Sequence, residues 1–84
     1  MTFEVKWEKG AANTLKKLPK DKAMRIWDKV ESIKENPFQY LKQFAGDSCF
    51  KLRIGDFRAL VDVDLKKEVL KVRVLDKRGR IYKR

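Results

Sequence analysis

One short stretch, Cys49 to Arg58 with the sequence CFKLRIGDFR, constrains the fold more than any other part of the chain. Within it, apolar and basic residues alternate with the period of two that a half-buried strand requires. Gly55 and Asp56 then supply a tight turn in which glycine comes first. The stretch therefore predicts a β-hairpin with one face in the core and the other open to solvent.

The turn also fixes the register of the hairpin, and the predicted opposite pairs are Ile54 with Phe57, Arg53 with Arg58, and Lys51 with Leu60. Lys51, Arg53 and Arg58 then share the open face. Like charges that face each other across a sheet are destabilising, so a purely structural strand gives no reason for this cluster. We interpret it as a candidate anion site.

The remainder of the chain predicts two helices and two further strands. One strand precedes the helices, and the other follows the hairpin. Residues 2–7 alternate as a strand does, whereas apolar residues recur every three or four positions in Lys9–Leu18 and Asp21–Asn36. Pro19 separates the two helices and Pro37 ends the second, because the residue before a proline avoids helical geometry. Residues 69–75 alternate again, and the apolar residues expected on the core face are Leu70, Val72 and Val74.

The order of elements is therefore strand, helix, helix, strand, strand, strand. We expect a single domain over residues 1–84 of the α+β class, with a mainly antiparallel sheet, a two-helix hairpin on one face and a basic open face.

Residues 38–48 have no sustained period and contain Gly46, so the pattern predicts a loop. Four of its residues are expected to pack against the edge of the core: Phe38, Tyr40, Leu41 and Phe44. Base stacking is the alternative for the three aromatic ones. Both tryptophans are expected in the core, and Cys49 is expected as a small buried or edge residue.

The charge of the chain is strongly asymmetric. The formal net charge is +10, and residues 49–84 carry twelve bases and five acids, a net +7. This excess predicts a polyanionic partner, with nucleic acid first and an acidic protein or a membrane surface second. The first ten residues hold no apolar run of the signal-peptide type and no stretch is long enough to span a membrane, so we expect a cytoplasmic protein.

The absence of histidine, together with a single cysteine, restricts the chemistry. It excludes the usual zinc sites, Ser-His-Asp triads and Cys-His pairs, and we expect neither a metal nor a cofactor. The basic set with a nearby tyrosine suits a phosphodiester, because guanidinium groups bind phosphate oxygens in a bidentate fork. Cleavage of RNA by its 2′-hydroxyl also needs proton transfer, for which the candidates are Tyr82, Lys51, Asp56 and Asp76.

The whole chain resembles the RelE/ParE superfamily of bacterial and archaeal toxin–antitoxin toxins, and most closely its RelE branch. The stretches that carry the resemblance are FEVKW, LKKLPKD, CFKLRIGDFRALVDVD and VLKVRVLDKRGRIYKR. The last two are the most specific, because they combine alternate basic strand residues, an aromatic-Arg pair after the glycine turn, and an arginine followed shortly by a tyrosine.

The resemblance implies a toxin that enters the ribosomal A site and cleaves the messenger RNA there without a metal. Its catalytic positions correspond in this chain to Lys51, Arg53, Arg58, Arg78 and Tyr82. The remaining bases of the last strand and the tail are predicted to bind RNA: Lys71, Arg73, Lys77, Arg80, Lys83 and Arg84. A RelB-like antitoxin is the implied protein partner, in a heterodimer or heterotetramer, and the ribosome and mRNA are the implied targets. The alternatives are a non-catalytic gyrase poison of the ParE type and a plain nucleic-acid-binding module.

Overall fold

The computed structural model describes residues 2–46 and 49–77. It contains two α-helices, α1 (Lys9–Lys17) and α2 (Lys20–Ser32), and five strands. The strands are β1 (Glu4–Trp7), β2 (Lys42–Ala45), β3 (Cys49–Ile54), β4 (Phe57–Asp64) and β5 (Val69–Lys77). A short 3₁₀ helix (Pro37–Gln39) leads into β2.

The strands form one sheet in the order β1-β5-β4-β3-β2, in which β1 runs parallel to β5 and every other pair is antiparallel. The α+β class and the mainly antiparallel sheet are confirmed. The prediction of a loop over residues 38–48 was wrong, because β2 forms there and pairs with β3. The strand is defined by its pairing with β3, whereas its own four residues show no period that would predict it.

The helices begin and end largely where their prolines require. Leu18 adopts an extended conformation before Pro19, so α1 ends at Lys17 and α2 begins at once after the proline. The predicted end of the second helix at Asn36 was wrong, since α2 ends at Ser32. Beyond it the chain continues in tighter turns, in which each amide donates to the carbonyl three residues earlier: Ile33 to Val30, Lys34 to Glu31 and Asn36 to Ile33.

The core lies between the helices and one face of the sheet. It includes Ala11 of α1 and Ile26 and Val30 of α2. The alternate residues of the hairpin predicted for this face are buried or packed against it: Phe50, Leu52, Ile54, Phe57, Ala59 and Val61. The described helices have neither the length nor the apolar character that a membrane crossing requires.

A β-bulge in β5 changes the face of its second half. Leu60 pairs with Val74 but Val61 pairs with Val72, so Arg73 is the extra residue. The prediction that Val74 faces the core was therefore wrong, and Leu75 takes the core position instead, while Val74 is exposed beside Leu60 on the open face. A period of two cannot reveal such an insertion, because the bulge arises from the pairing with β4.

The two tryptophans stack on each other at the edge of the domain. The ring centroids of Trp7 and Trp27 are 5.8 Å apart and the rings are 8° from parallel. Trp7 is half-buried, but Trp27 is 45% exposed, so the expectation that both lie in the core was wrong for Trp27. The helical stripe that is buried in α2 is narrower than the apolar pattern suggested.

Candidate nucleic-acid interface

The hairpin of β3 and β4 has the register that its sequence predicts. Ile54 pairs with Phe57, Arg53 with Arg58, and Lys51 with Leu60. Gly55 has a φ of 57°, whereas Asp56 does not have a positive φ. A positive φ at the first central residue alone defines a type II′ turn, whose twist matches that of the strands it joins. The glycine thereby places two arginines side by side on the open face.

Arg58 is unusual because its side chain is buried, with only 5% of the residue exposed. One terminal nitrogen, Nη1, donates to the carbonyl oxygens of Phe57 at 3.0 Å and Gly55 at 3.3 Å. These bonds hold the guanidinium group against the turn that precedes it. Asp76 of β5 lies opposite Arg58 in the sheet, and its Oδ1 accepts a hydrogen bond from the amide of Lys77 at 2.7 Å.

A cleft of about 150 Å³ opens at this group, and the three predicted cations Lys51, Arg53 and Arg58 all line it. Among the residues that the structure describes, Tyr40 and Lys42 also line it. Liquid water occupies about 30 Å³ per molecule, so the cleft has room for a phosphate group or a single base rather than a large ligand. The structure thus brings together the part of the predicted catalytic set that it describes.

Lys42 extends the cluster to a third strand. It lies directly opposite Lys51 in the pairing of β2 with β3, so two pairs of like charges, Lys42 with Lys51 and Arg53 with Arg58, occur on one face. The prediction from sequence missed Lys42, and for Tyr40 it favoured packing, with base stacking as the alternative. The pairing of Ala45 with Cys49 would by itself set Gln43 against Lys51, and the register shift between Gln43 and Ala45 brings Lys42 opposite Lys51 instead. No local signal in the sequence predicts this shift.

Arg73 lies in a different environment from the cluster. Its Nη1 is 3.3 Å from Oδ2 of Asp62, and its Nε is 3.9 Å from Oε1 of Glu8. The side chain remains half exposed, but two carboxylates share its charge. Binding of RNA by Arg73 stays a prediction, and an incoming phosphate would compete with these two acids.

Cys49 lies opposite Asp62 on the open face of the sheet, the face that carries Lys51 and Arg53. Partial burial raises the pKa of the Cys49 thiol, the Asp62 carboxylate raises it further, and the Arg73 guanidinium lowers it in part. The residue is half-buried, as expected from the sequence. The thiol is therefore protonated at neutral pH.

Two other predicted RNA-binding lysines, Lys71 and Lys77, lie in β5 and are exposed. Lys71 pairs with Asp62 and is on the open face, whereas Lys77 pairs with Phe57 and is on the side that the helices cover. The remaining predicted positions lie outside the described residues: Arg78, Arg80, Tyr82, Lys83 and Arg84.

Comparisons with known proteins show the family to which the chain belongs. The family model of the ParE toxin of the type II toxin–antitoxin system, parDE, matches residues 5–82. A search of curated proteins finds no match. A chain of the archaeal RelE-RelB complex from Pyrococcus horikoshii OT3 is 29% identical, with a TM-score of 0.78 over 95% of this chain and 99% of that chain.

Two further solved structures share the fold at lower identity. A chain of the RelBE2 toxin–antitoxin complex from Mycobacterium tuberculosis is 20% identical, with a TM-score of 0.83 over 94% of each chain. The isolated E. coli RelE toxin is also 20% identical, with a TM-score of 0.78 over 95% of this chain and 90% of that chain. The family match and the shared architecture agree with the resemblance in the sequence, and the chain belongs to the RelE/ParE superfamily of type II toxin–antitoxin toxins and has the RelE fold.

Proposed function

We propose that this toxin is an endoribonuclease that cleaves messenger RNA in the ribosomal A site and so inhibits translation. The observation that carries the proposal is the cleft in which Lys51, Arg53 and Arg58 converge on one small volume. Opposed arginines reduce the stability of a hairpin, so their retention is understandable if an anion is bound between them. The cytoplasm, where the ribosomes are, is the corresponding location.

In the proposed reaction a 2′-hydroxyl attacks the adjacent phosphodiester: its oxygen loses a proton and bonds to phosphorus, while the bond from phosphorus to the 5′-oxygen breaks and that oxygen gains a proton. The products are a 2′,3′-cyclic phosphate and a 5′-hydroxyl, and the cations supply the charge stabilisation without a metal. Arg58 is held by the carbonyls of Phe57 and Gly55, so it can bind a phosphate oxygen with little loss of side-chain entropy. Arg53 is exposed on β3, opposite Arg58 of β4, and binds a second oxygen of the same phosphate. Lys51 stabilises the negative charge of the phosphorane or transfers a proton.

The positions of the two candidate carboxylates support a choice between them for the proposed proton transfer. Asp76 lies opposite Arg58, which is one of the residues that line the cleft. Asp56 is exposed in the turn and lines a different, smaller cavity together with Lys22 and Arg25. Asp76 is thus the carboxylate of choice, with Tyr82 and Lys51 as the other candidates. In this proposal Arg78 completes the phosphate site, and Tyr82 orients the nucleotide or acts as the base.

We assign the more distant cations to binding of the RNA backbone. Lys71 is suited to this on the open face, and Arg73 contributes once a phosphate displaces Asp62 or Glu8. The other members of the proposed binding set are Lys77, Arg80, Lys83 and Arg84.

The protein partner that we propose is a RelB-like antitoxin. The similar proteins from Pyrococcus horikoshii and Mycobacterium tuberculosis were solved as RelE-RelB and RelBE2 complexes. An acidic or amphipathic chain would neutralise the net charge of +10 and cover the open face, in a heterodimer or heterotetramer.

The test is expression of the chain in a translating extract, followed by primer extension on the message. Discrete cuts at codon boundaries, which persist in the presence of a chelator and are lost in Arg58→Ala, are the expected result. A message that stays intact while translation proceeds would overturn the proposal.

A second candidate is a gyrase poison, because the matching family model is that of ParE. In this case the basic face binds a protein or DNA and no bond is cleaved. A supercoiling assay beside the translation assay separates the two: selective loss of supercoiling favours the poison. A plain nucleic-acid-binding module would affect neither activity selectively, and its affinity would fall steeply with salt.

A further inference from the structure

Tyr40 borders the cation cleft although its sequence context suggested a packing residue. The chain forms a turn before it, in which the amides of Tyr40 and Leu41 both donate to the carbonyl of Pro37 at 3.0 Å. Leu41 takes the core position and is 7% exposed, whereas Tyr40 is 40% exposed. The buried neighbour fixes the backbone, so the ring of Tyr40 is held at the surface beside the cleft.

A lysine from α2 holds the ring itself. The Nζ of Lys29 is 4.5 Å from the centroid of the Tyr40 ring, a distance at which a cation is attracted to the face of an aromatic ring. The ring therefore has a fixed partner and still keeps a large exposed area. A tyrosine that served only to fill the edge of the core would bury its ring instead.

The charges next to Tyr40 complete a pattern that is suited to single-stranded nucleic acid. Lys42, two residues further along, lines the same cleft and pairs with Lys51 across the sheet. Proteins that bind single strands combine cations that follow the phosphates with aromatic rings on which the bases stack. An acidic protein segment would use the cations but has no comparable need for the ring.

We propose that Tyr40 and Lys42 form a nucleotide subsite beside the proposed scissile-phosphate site. The ring of Tyr40 stacks on a base of single-stranded RNA, and Lys42 binds the adjoining phosphate. Stacking accepts any base, so the subsite positions the message without reading its sequence. The inference rests on the proposed function for its ligand, since it takes the substrate of the cleft to be RNA.

The experiment measures binding rather than cleavage, so that it does not depend on the chemistry. A short fluorescent oligoadenylate with every 2′-hydroxyl methylated is titrated with the full chain at several salt concentrations. Tyr40→Ala is expected to weaken binding about 5- to 150-fold with an unchanged salt dependence, because stacking involves no ion release. Lys42→Gln is expected to reduce the slope of log affinity against log salt by about 0.7.

Matched variants separate stacking from packing. Tyr40→Phe keeps the ring and should bind as the unchanged protein does, whereas Tyr40→Leu keeps apolar bulk without a ring and should bind as weakly as Tyr40→Ala. Phe38→Ala is the control, because Phe38 is 48% exposed and lies in the same turn but does not line the cleft. Its ring packs on that of Phe50 instead, with the two centroids 5.5 Å apart and the rings at 68° to each other. It should leave the affinity unchanged.

The subsite is overturned if Tyr40→Ala binds the oligoadenylate as tightly as the unchanged protein, if Phe38→Ala weakens binding equally, or if the unchanged protein does not bind at low salt. Binding of a glutamate-rich peptide that depends on Tyr40, without binding of the oligoadenylate, also overturns it and indicates a protein ligand. The unchanged protein could bind the oligoadenylate through Tyr40 and yet cut no ribosome-bound message. Loss of binding in Tyr40→Ala would then support the subsite, and only the proposed function would be overturned.

Discussion

Replacing each arginine of the opposed pair by alanine should reduce activity in both cases, but only the replacement of Arg58 should lower stability. Arg53 is exposed and faces Arg58, so Arg53→Ala removes a like-charge contact. Cross-strand pairs of this kind amount to about 0.2–1 kcal/mol, and solvent screening favours the lower end. We expect the free energy of unfolding to stay constant or rise slightly, by less than about 1 kcal/mol.

Arg58→Ala removes the same repulsion but also two hydrogen bonds from a buried guanidinium group. A hydrogen bond of a charged group contributes about 1.5–3 kcal/mol. In the variant, water can replace the lost donor at the carbonyl of Gly55, which is exposed, but not at the carbonyl of Phe57, which is buried. After the relief of repulsion, a net loss of about 1–2 kcal/mol remains. For a domain of this size, that corresponds to a fall in the melting temperature of about 4–16 °C.

Both variants should lose about 10²- to 10³-fold in the rate of message cleavage if each arginine acts as a preorganised donor to the phosphorane, which is about 2.7–4 kcal/mol of transition-state stabilisation. Primer extension gives the rate and thermal unfolding at low salt gives the stability. Lys66→Ala, an exposed lysine outside the cleft, controls for the loss of one charge. Intact cleavage in Arg53→Ala together with lower stability would show that the pair is structural, and would refute the reasoning.

Three further changes test other parts of the structure. Gly55→Ala should cost about 1–2 kcal/mol of stability in denaturant unfolding; an added Cβ would meet no atom, so the cost comes from the positive φ of 57° alone. Gly10→Ala in α1 is the control and should be neutral or stabilising by up to about 1 kcal/mol, and equal effects of the two changes would contradict the turn assignment. Because the pKa of the Cys49 thiol is raised in the folded state, the unfolded chain loses the thiol proton first as the pH rises, and stability should fall above about pH 8.5. Cys49→Ser should remove this fall, and an identical pH dependence of stability in both proteins would contradict the prediction. Asp62→Asn should cost less than about 1 kcal/mol, because its ion pair with Arg73 is half exposed, and should strengthen RNA binding by freeing Arg73; weaker binding would count against an RNA contact there.

The hairpin shows how much a local pattern can determine. The alternation in CFKLRIGDFR assigned each residue to a face, and the glycine turn set the register, so the pairing of Arg53 with Arg58 was predicted correctly. Both signals are local, since the period of two and the turn geometry follow from neighbouring residues. The helix boundary at Pro19 was predicted for the same reason.

Register shifts between paired strands were beyond the sequence. The strand β2 forms only because β3 offers an edge, and this pairing brings Lys42 to Lys51. The bulge at Arg73 likewise depends on the pairing with β4 and reverses the face of Val74. In each case the deciding interactions join residues that the local pattern treats separately.

The sequence alone therefore determined the class of fold, the positive charge of the open face of the sheet and three of the cations that line the cleft. Only the tertiary structure decided that Arg58 is buried against the carbonyls of its own turn and that Tyr40 and Lys42 join the cations. The physical reason is that alternation specifies the direction of a side chain, whereas burial and cleft geometry depend on which strands and turns pack beside it.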